Sequence, residues 1–103
     1  MNLTPETSDA VATDRGVVLV DIWAPWCAPC KIQSPIIDEL ESEYKDKVIV
    51  AKYNCDQNMD VLGNYDIMGV PALLFFKNGQ LKHKNTGVMS KEAIIAIIDG
   101  LLV

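Results

Sequence analysis

Two cysteines three apart, Cys27 and Cys30 in the stretch WAPWCAPC, are the residues of this chain best suited to chemistry. A Cys-x-x-Cys pair can be half of a metal clip, a structural disulfide or a redox centre that opens and closes. Zinc sites usually take four ligands. Beyond this pair the chain offers only Cys55, His83 and carboxylates at no ligand spacing. A structural disulfide across so small a loop would restrain the unfolded chain little. A redox pair needs surroundings that favour the thiolate, because the thiolate is the nucleophile in thiol–disulfide exchange.

The flanking elements meet that need. Val17 to Trp23, VVLVDIW, is β-branched and apolar on both faces, as a strand buried on both sides should be. Pro29 to Tyr44 changes to helical period, with Ile32, Ile36, Ile37, Leu40 and Tyr44 on one face and Asp38, Glu39, Glu41 and Glu43 turned away. Proline suits a first helical position, where its missing N–H costs nothing. Cys27 then stands at the helix mouth, facing unpaired N–H groups and the positive end of the dipole, while Cys30 lies inside the first turn and less exposed. That asymmetry makes Cys27 the attacking thiol and Cys30 the resolving one.

The remaining pattern completes an α/β unit. Val48 to Tyr53 reads as a strand, Asn58 to Tyr65 as a short helix and Ala72 to Lys77 as a strand. Asn78-Gly79 is a hairpin signal joining that strand to Leu81 to Asn85. Ser90 can cap a last helix, KEAIIAIIDGLL, with Ile94, Ile97, Ile98 and Leu101 inward. A short helix over Pro5 to Thr13, capped by Thr4, is expected near the start. Alternating strands and helices imply parallel pairing, and the hairpin adds an antiparallel part. The expectation is a central mixed sheet of four or five strands with helices on both faces.

With 103 residues, half of them apolar, the chain is long enough for one domain with a single core. Net charge is −5 and the nine basic residues form no run, which argues against nucleic acid as a main partner. No apolar run approaches the roughly 18 residues of a membrane span, and the start lacks a basic segment followed by an apolar one. An odd cysteine, Cys55, fits a reducing compartment, so a cytoplasmic location is expected. Cys55 itself alternates into the core as a small hydrophobe.

Asp21 stands out because it lies inside a strand that should be buried. An exposed strand end or a capped carboxylate would explain it. So would a buried acid, raised by desolvation and placed to exchange a proton with Cys30.

VDIWAPWCAPCK, GVPALLFFKNG and NTGVMSK resemble, in order and separation, the successive motif segments of thioredoxins. The resemblance runs from about Val17 to the C-terminus and leaves residues 1–16 weakly matched within a single domain over 1–103. It implies the thioredoxin fold and a protein disulfide reductase that uses Cys27 and Cys30 as its redox-active disulfide. It places Asp21 at the family's buried acid, Lys52 at the lysine beside that acid, and Pro71 at a cis-proline facing the dithiol. That proline would aim the backbone of Val70 at an extended substrate segment. Trp23 is expected to pack, and Trp26 to stand partly exposed beside Cys27. With Ala28, Pro29, Gly69, Val70, Gly87 and Val88, Trp26 would form a flat apolar docking surface.

The implied partners are oxidised proteins and a thioredoxin reductase. The chain would act as a monomer, with no cofactor or metal, because the electrons reside in the two thiols. Ala28 replaces the family's usual glycine, Pro25 a common polar residue and Ala72 a common threonine. No cation stands between the cysteines, so the couple should be reducing rather than oxidising. That also disfavours a thiol oxidase or isomerase. A purely binding role in a larger assembly would leave the two thiols dispensable.

Overall fold

The computed structural model of the protein describes residues 2–3, 16–57 and 60–103. Its strands are β1 (Asn2–Leu3), β2 (Val17–Trp23), β3 (Val48–Asn54), β4 (Ala72–Lys77) and β5 (Gln80–Thr86). Its helices are α1 (Ala28–Glu43), α2 (Asp60–Asn64) and α3 (Lys91–Leu102), with a 3-10 turn over Cys55–Gln57. The strands form one mixed sheet in the order β1-β3-β2-β4-β5. The first three are parallel, and β4 and β5 are antiparallel additions. This is the thioredoxin fold, an α/β sheet flanked by helices.

Strand β2 sits at the centre and feeds both cores. Val17 and Leu19 pack with Ile37 and Leu40 of α1, Ile94 and Ile98 of α3, and Leu73 and Phe75 of β4. Val18, Val20 and Ile22 face the other way, toward Tyr53, Leu74 and Phe76, with Leu62 of α2 and nearby Tyr65 completing that layer. A fully buried side chain of this size contributes about 1.5–3 kcal/mol. These layers therefore fix the sheet, and the strand ends and loops are left to carry the site.

The hairpin forms where Asn78-Gly79 places it, with both residues at positive φ (52° and 81°), as a tight β-hairpin turn requires. A register shift between Phe75 and Phe76 lets β5 run from Gln80 to Thr86. The turn also anchors the start of β2: Asn78 N–H donates to Gly16 O (2.9 Å) and Gly16 N–H to Asn78 Oδ1 (3.0 Å). Ser90 caps α3, its Oγ accepting from Ala93 N–H at 3.2 Å. A rudimentary fifth strand does form: β1 pairs with β3 at Asn2↔Lys52 and Leu3↔Tyr53. The helix expected over Pro5 to Thr13, and residues 58–59 of the expected Asn58 to Tyr65 helix, lie outside the described residues.

Two expectations about α1 need correction. The helix begins at Ala28, so Pro29 is its second residue and not its first, and Cys27 takes the N-cap position. The inward stripe is Cys30, Gln33, Ile37 and Leu40, whereas Ile32 is 63 % exposed. Cys30 must face inward, and at 3.6 residues per turn that places residue 33 inside and residue 32 outside.

Gln33 is tolerated there because its amide is satisfied on both sides. Its Nε2–H donates to Met89 O (3.1 Å) and its Oε1 accepts from Met89 N–H (2.7 Å). This clamp ties the segment between β5 and α3 to the helix one turn beyond Cys30. Gln33→Leu keeps the size but orphans both backbone groups of Met89. It should lower stability by about 2–3 kcal/mol, read from urea unfolding, and speed hydrogen exchange at the Met89 amide. Unchanged exchange at Met89 would show that the clamp does not hold the segment.

Candidate functional site

The helix mouth positions the two cysteines. A turn bonded from Cys27 N–H to Ala24 O (3.2 Å) reverses the chain after β2. Cys27 is extended (φ −96°, ψ 107°) and caps α1, its Sγ accepting from Cys30 N–H at 3.2 Å. That hydrogen bond and the sixteen-residue helix behind it both favour negative charge on the Cys27 sulfur. The Cys27–Cys30 disulfide is formed. The expected difference in exposure is small, 5 % against 3 %, so it is the capping position that sets the two sulfurs apart. Cys55, the third cysteine, is a free thiol fully buried in the core. Among the described residues no three His, Cys, Asp or Glu side chains gather as a metal site.

Asp21 is buried (1 % exposed), and among the described residues neither of its oxygens has a hydrogen-bond partner. Burial pushes its carboxyl up to about 6, the charge of Lys52 pulls it down and that of Asp38 adds to the rise. Lys52 stands opposite Asp21 in the β2–β3 register. Its ammonium, however, donates to Ser34 Oγ (2.6 Å) and pairs with Asp38 Oδ1 (2.7 Å). A cavity of about 310 Å³ lies beside them, lined by Trp23, Ala24, Pro25, Cys30, Lys31, Ser34 and Lys52.

The other expected site residues lie on two loops, before β4 and after β5, and Val70 packs against the core cluster that contains Cys27 and Cys30. The Val70–Pro71 bond is cis. Pro71 is buried, while Gly69 and Val70 are half-buried. A Cβ on Gly69 would meet nothing within 4 Å among the described residues, which leaves the space beside it open. Gly87 has φ +99°, a conformation that L side chains rarely adopt. Its N–H donates to Pro71 O at 2.8 Å, joining the two loops. Val88 is 43 % exposed, and Ala28 and Pro29 are exposed on the first turn of α1. Trp23 is partly buried against the core, whereas Trp26 is 66 % exposed.

Several neighbours of the candidate site residues escaped the sequence. Asp56 accepts from Trp26 Nε1–H (2.9 Å) and so fixes the indole, although nothing local in the sequence points to it. Met68, just before Gly69, is 93 % exposed. Ser34 and Asp38 did leave a signal, since Cys30, Ser34 and Asp38 are spaced by four on one helix.

The chain is similar to known proteins over nearly its whole length. The family model described as Thioredoxin matches residues 2–100. Relatives named Thioredoxin include one from Bacillus subtilis (strain 168), 38 % identical over 91 % of this chain and 90 % of the relative. One from Acidithiobacillus ferridurans is 46 % identical over 82 % and 79 %. One from Synechocystis sp. (strain ATCC 27184 / PCC 6803 / Kazusa) is 37 % identical over 99 % and 100 %. With a cysteine pair closed at the mouth of α1, on this sheet, the chain belongs to the thioredoxin family and is a thiol–disulfide oxidoreductase working through Cys27 and Cys30.

Proposed function

We propose that the protein reduces disulfides in other proteins and is itself re-reduced by a thioredoxin reductase. The observation that carries the assignment of roles is the capping bond from Cys30 N–H to Cys27 Sγ. The reduced protein attacks with the Cys27 thiolate, which forms a mixed disulfide and expels one substrate sulfur as a thiolate. The Cys30 thiol then passes its proton to the Asp21 carboxylate and attacks Cys27 Sγ. The second substrate sulfur leaves, and two electrons have moved from the Cys27–Cys30 dithiol to the substrate. In the reverse step, when reductase opens the disulfide, Asp21 returns the proton to Cys30. The burial of Asp21, which raises its carboxyl to about 6, supports this role, with Lys52 supporting the acid.

The substrate lies on the face made by Trp26, Ala28, Pro29, Gly69, Val70, Gly87 and Val88. An extended segment pairs along the backbone at Val70, next to Pro71. The open space beside Gly69 and the exposure of Trp26 and Val88 favour that reading. The protein acts as a single-domain monomer in the cytoplasm, where it maintains redox homeostasis, and it engages neither nucleic acid nor membrane. Among the described residues no helix is long and apolar enough to cross a membrane.

Reduction of insulin, driven first by dithiothreitol and then by thioredoxin reductase with NADPH, tests the proposal. Catalysis with both electron sources is the expected result. Failure with dithiothreitol would contradict disulfide reductase activity, and failure with reductase alone would contradict that partner.

A further inference from the structure

Cys30, Ser34 and Asp38 form one stripe along α1, each a little over one turn beyond the last. Facing the stripe is Lys52 of β3, bonded to Ser34 Oγ and paired with Asp38 Oδ1. Lys52 is also the register partner of Asp21, yet among the described residues the two form no ion pair within 4 Å. The cation whose field reaches the acid is held instead by the helix that carries Cys30.

We propose that Ser34 and Asp38 are positioning residues for the exchange reaction. By holding the Lys52 ammonium on the α1 side, they keep Asp21 from becoming a fixed ion-pair partner and leave it able to pass a proton to and from Cys30. This rests on the proton role of Asp21 proposed above. A carboxylate in close contact with a cation is locked in its charged form, its proton affinity lowered by about one to three pK units. So weak a base would take the Cys30 proton poorly. Asp38 acts in two ways, neutralising Lys52 and adding a like charge that favours the protonated form of Asp21. Ser34 takes up one N–H of the ammonium.

Among the described residues, Lys52 and Asp38 are the charges that act on the acid. From α1 the charged group acting on it is Asp38, with Cys30 and Ser34 on the same stripe, and from β3 it is Lys52. Across β4 Asp21 meets Leu73, and α3 turns Ile94 and Ile98 toward this layer. The Asp38 side chain is 60 % exposed and that of Lys52 20 %, so added salt should weaken the Asp38 effect.

The test is the titration of the Asp21 carboxyl by carbon-13 NMR in the oxidised protein, where Cys27 and Cys30 do not titrate. It is paired with the pH dependence of mixed-disulfide resolution in single turnover. Asp38→Asn and Ser34→Ala should each lower the Asp21 midpoint, by roughly half a pH unit or more for Asp38→Asn. The acid limb of the resolution rate should move with it. Ser34→Thr keeps the hydroxyl and should restore the wild-type midpoint. In a Lys52→Met background the Asp38→Asn shift should shrink, because most of it acts through the lysine.

An Asp21 midpoint that stays or rises in Asp38→Asn overturns the proposal. A midpoint that falls without moving the rate limb also overturns it, and Asp21→Asn then locates the failure. If Asp21→Asn abolishes the limb, only the positioning role has failed. If Asp21→Asn leaves the limb unchanged, the proton role beneath it has failed.

Discussion

Cys27→Ser should lose protein disulfide reduction by at least about a thousandfold, because a serine hydroxyl cannot form the mixed disulfide that carries the electrons. Cys30→Ser should fail differently. It keeps the attacking sulfur, so one substrate equivalent should react rapidly and then remain bound, with no further turnover. The distinction follows from position and not from exposure, since both cysteines are buried almost equally. Only Cys27 caps α1, and only its sulfur accepts a backbone N–H of the first turn. A rapid-quench experiment on the two variants reads the difference directly. Comparable single-turnover attack by Cys27→Ser would reverse the assignment of the two thiols.

The second large effect concerns Asp21 and has opposite signs for stability and activity. Its carboxyl is raised from an ordinary 3.8 to about 6, chiefly by burial. Below about pH 4 both folded and unfolded chains hold the proton, and the acid carries no penalty. Between pH 4 and 6 the folded protein keeps a proton that the unfolded chain has released, so stability falls as pH rises. Above pH 6 the charged carboxylate is buried, at a cost of about 3 kcal/mol when each pK unit counts about 1.4. Asp21→Asn is neutral throughout. Its stability relative to wild type should therefore rise by up to about 3 kcal/mol between pH 4 and pH 7.

The pH-independent cost of burying an amide cancels in that difference, so urea unfolding at the two pH values isolates the charge effect. The same variant should resolve mixed disulfides at least about tenfold more slowly at neutral pH, since the proton acceptor has gone. Equal pH dependence of stability in the two proteins would contradict the buried, raised carboxyl. An unchanged pH–rate profile would contradict its part in proton transfer.

The sequence revealed most where one local pattern decides the structure. The two-sided apolar run of β2, the Asn78-Gly79 turn and the Ser90 cap depend on neighbouring residues alone, and each element lies where its residues place it. Sequence reading failed where a distant backbone decides. Ile32 leaves its expected inward place, and Gln33 is buried instead, where Met89, fifty-six residues on, satisfies its amide inside the core. Cys27 as an N-cap was hidden for a related reason. Sulfur is an uncommon capping acceptor, so the pattern that marks helix starts through Ser, Thr, Asp or Asn points instead to Pro29.

Two further features were hidden by distance. The two residues of β1 carry no apolar alternation, and their strand character comes from pairing with β3. Of the candidate site, Cys27 and Cys30 were legible from their spacing, Asp21 from its place in a buried strand and Pro71 through the family resemblance. The hydrogen bonds of Trp26 to Asp56 and of Gly87 to Pro71 were not, because they cross between elements.

The most direct measurement is the location of the trapped substrate. Cys30→Ser, reduced and mixed with a disulfide-bonded protein, should accumulate a covalent complex. After alkylation and proteolysis, mass spectrometry should find that complex joined at Cys27. A complex joined at Cys55, or one formed equally well by Cys27→Ser, would contradict the dithiol exchange that orders all the other roles.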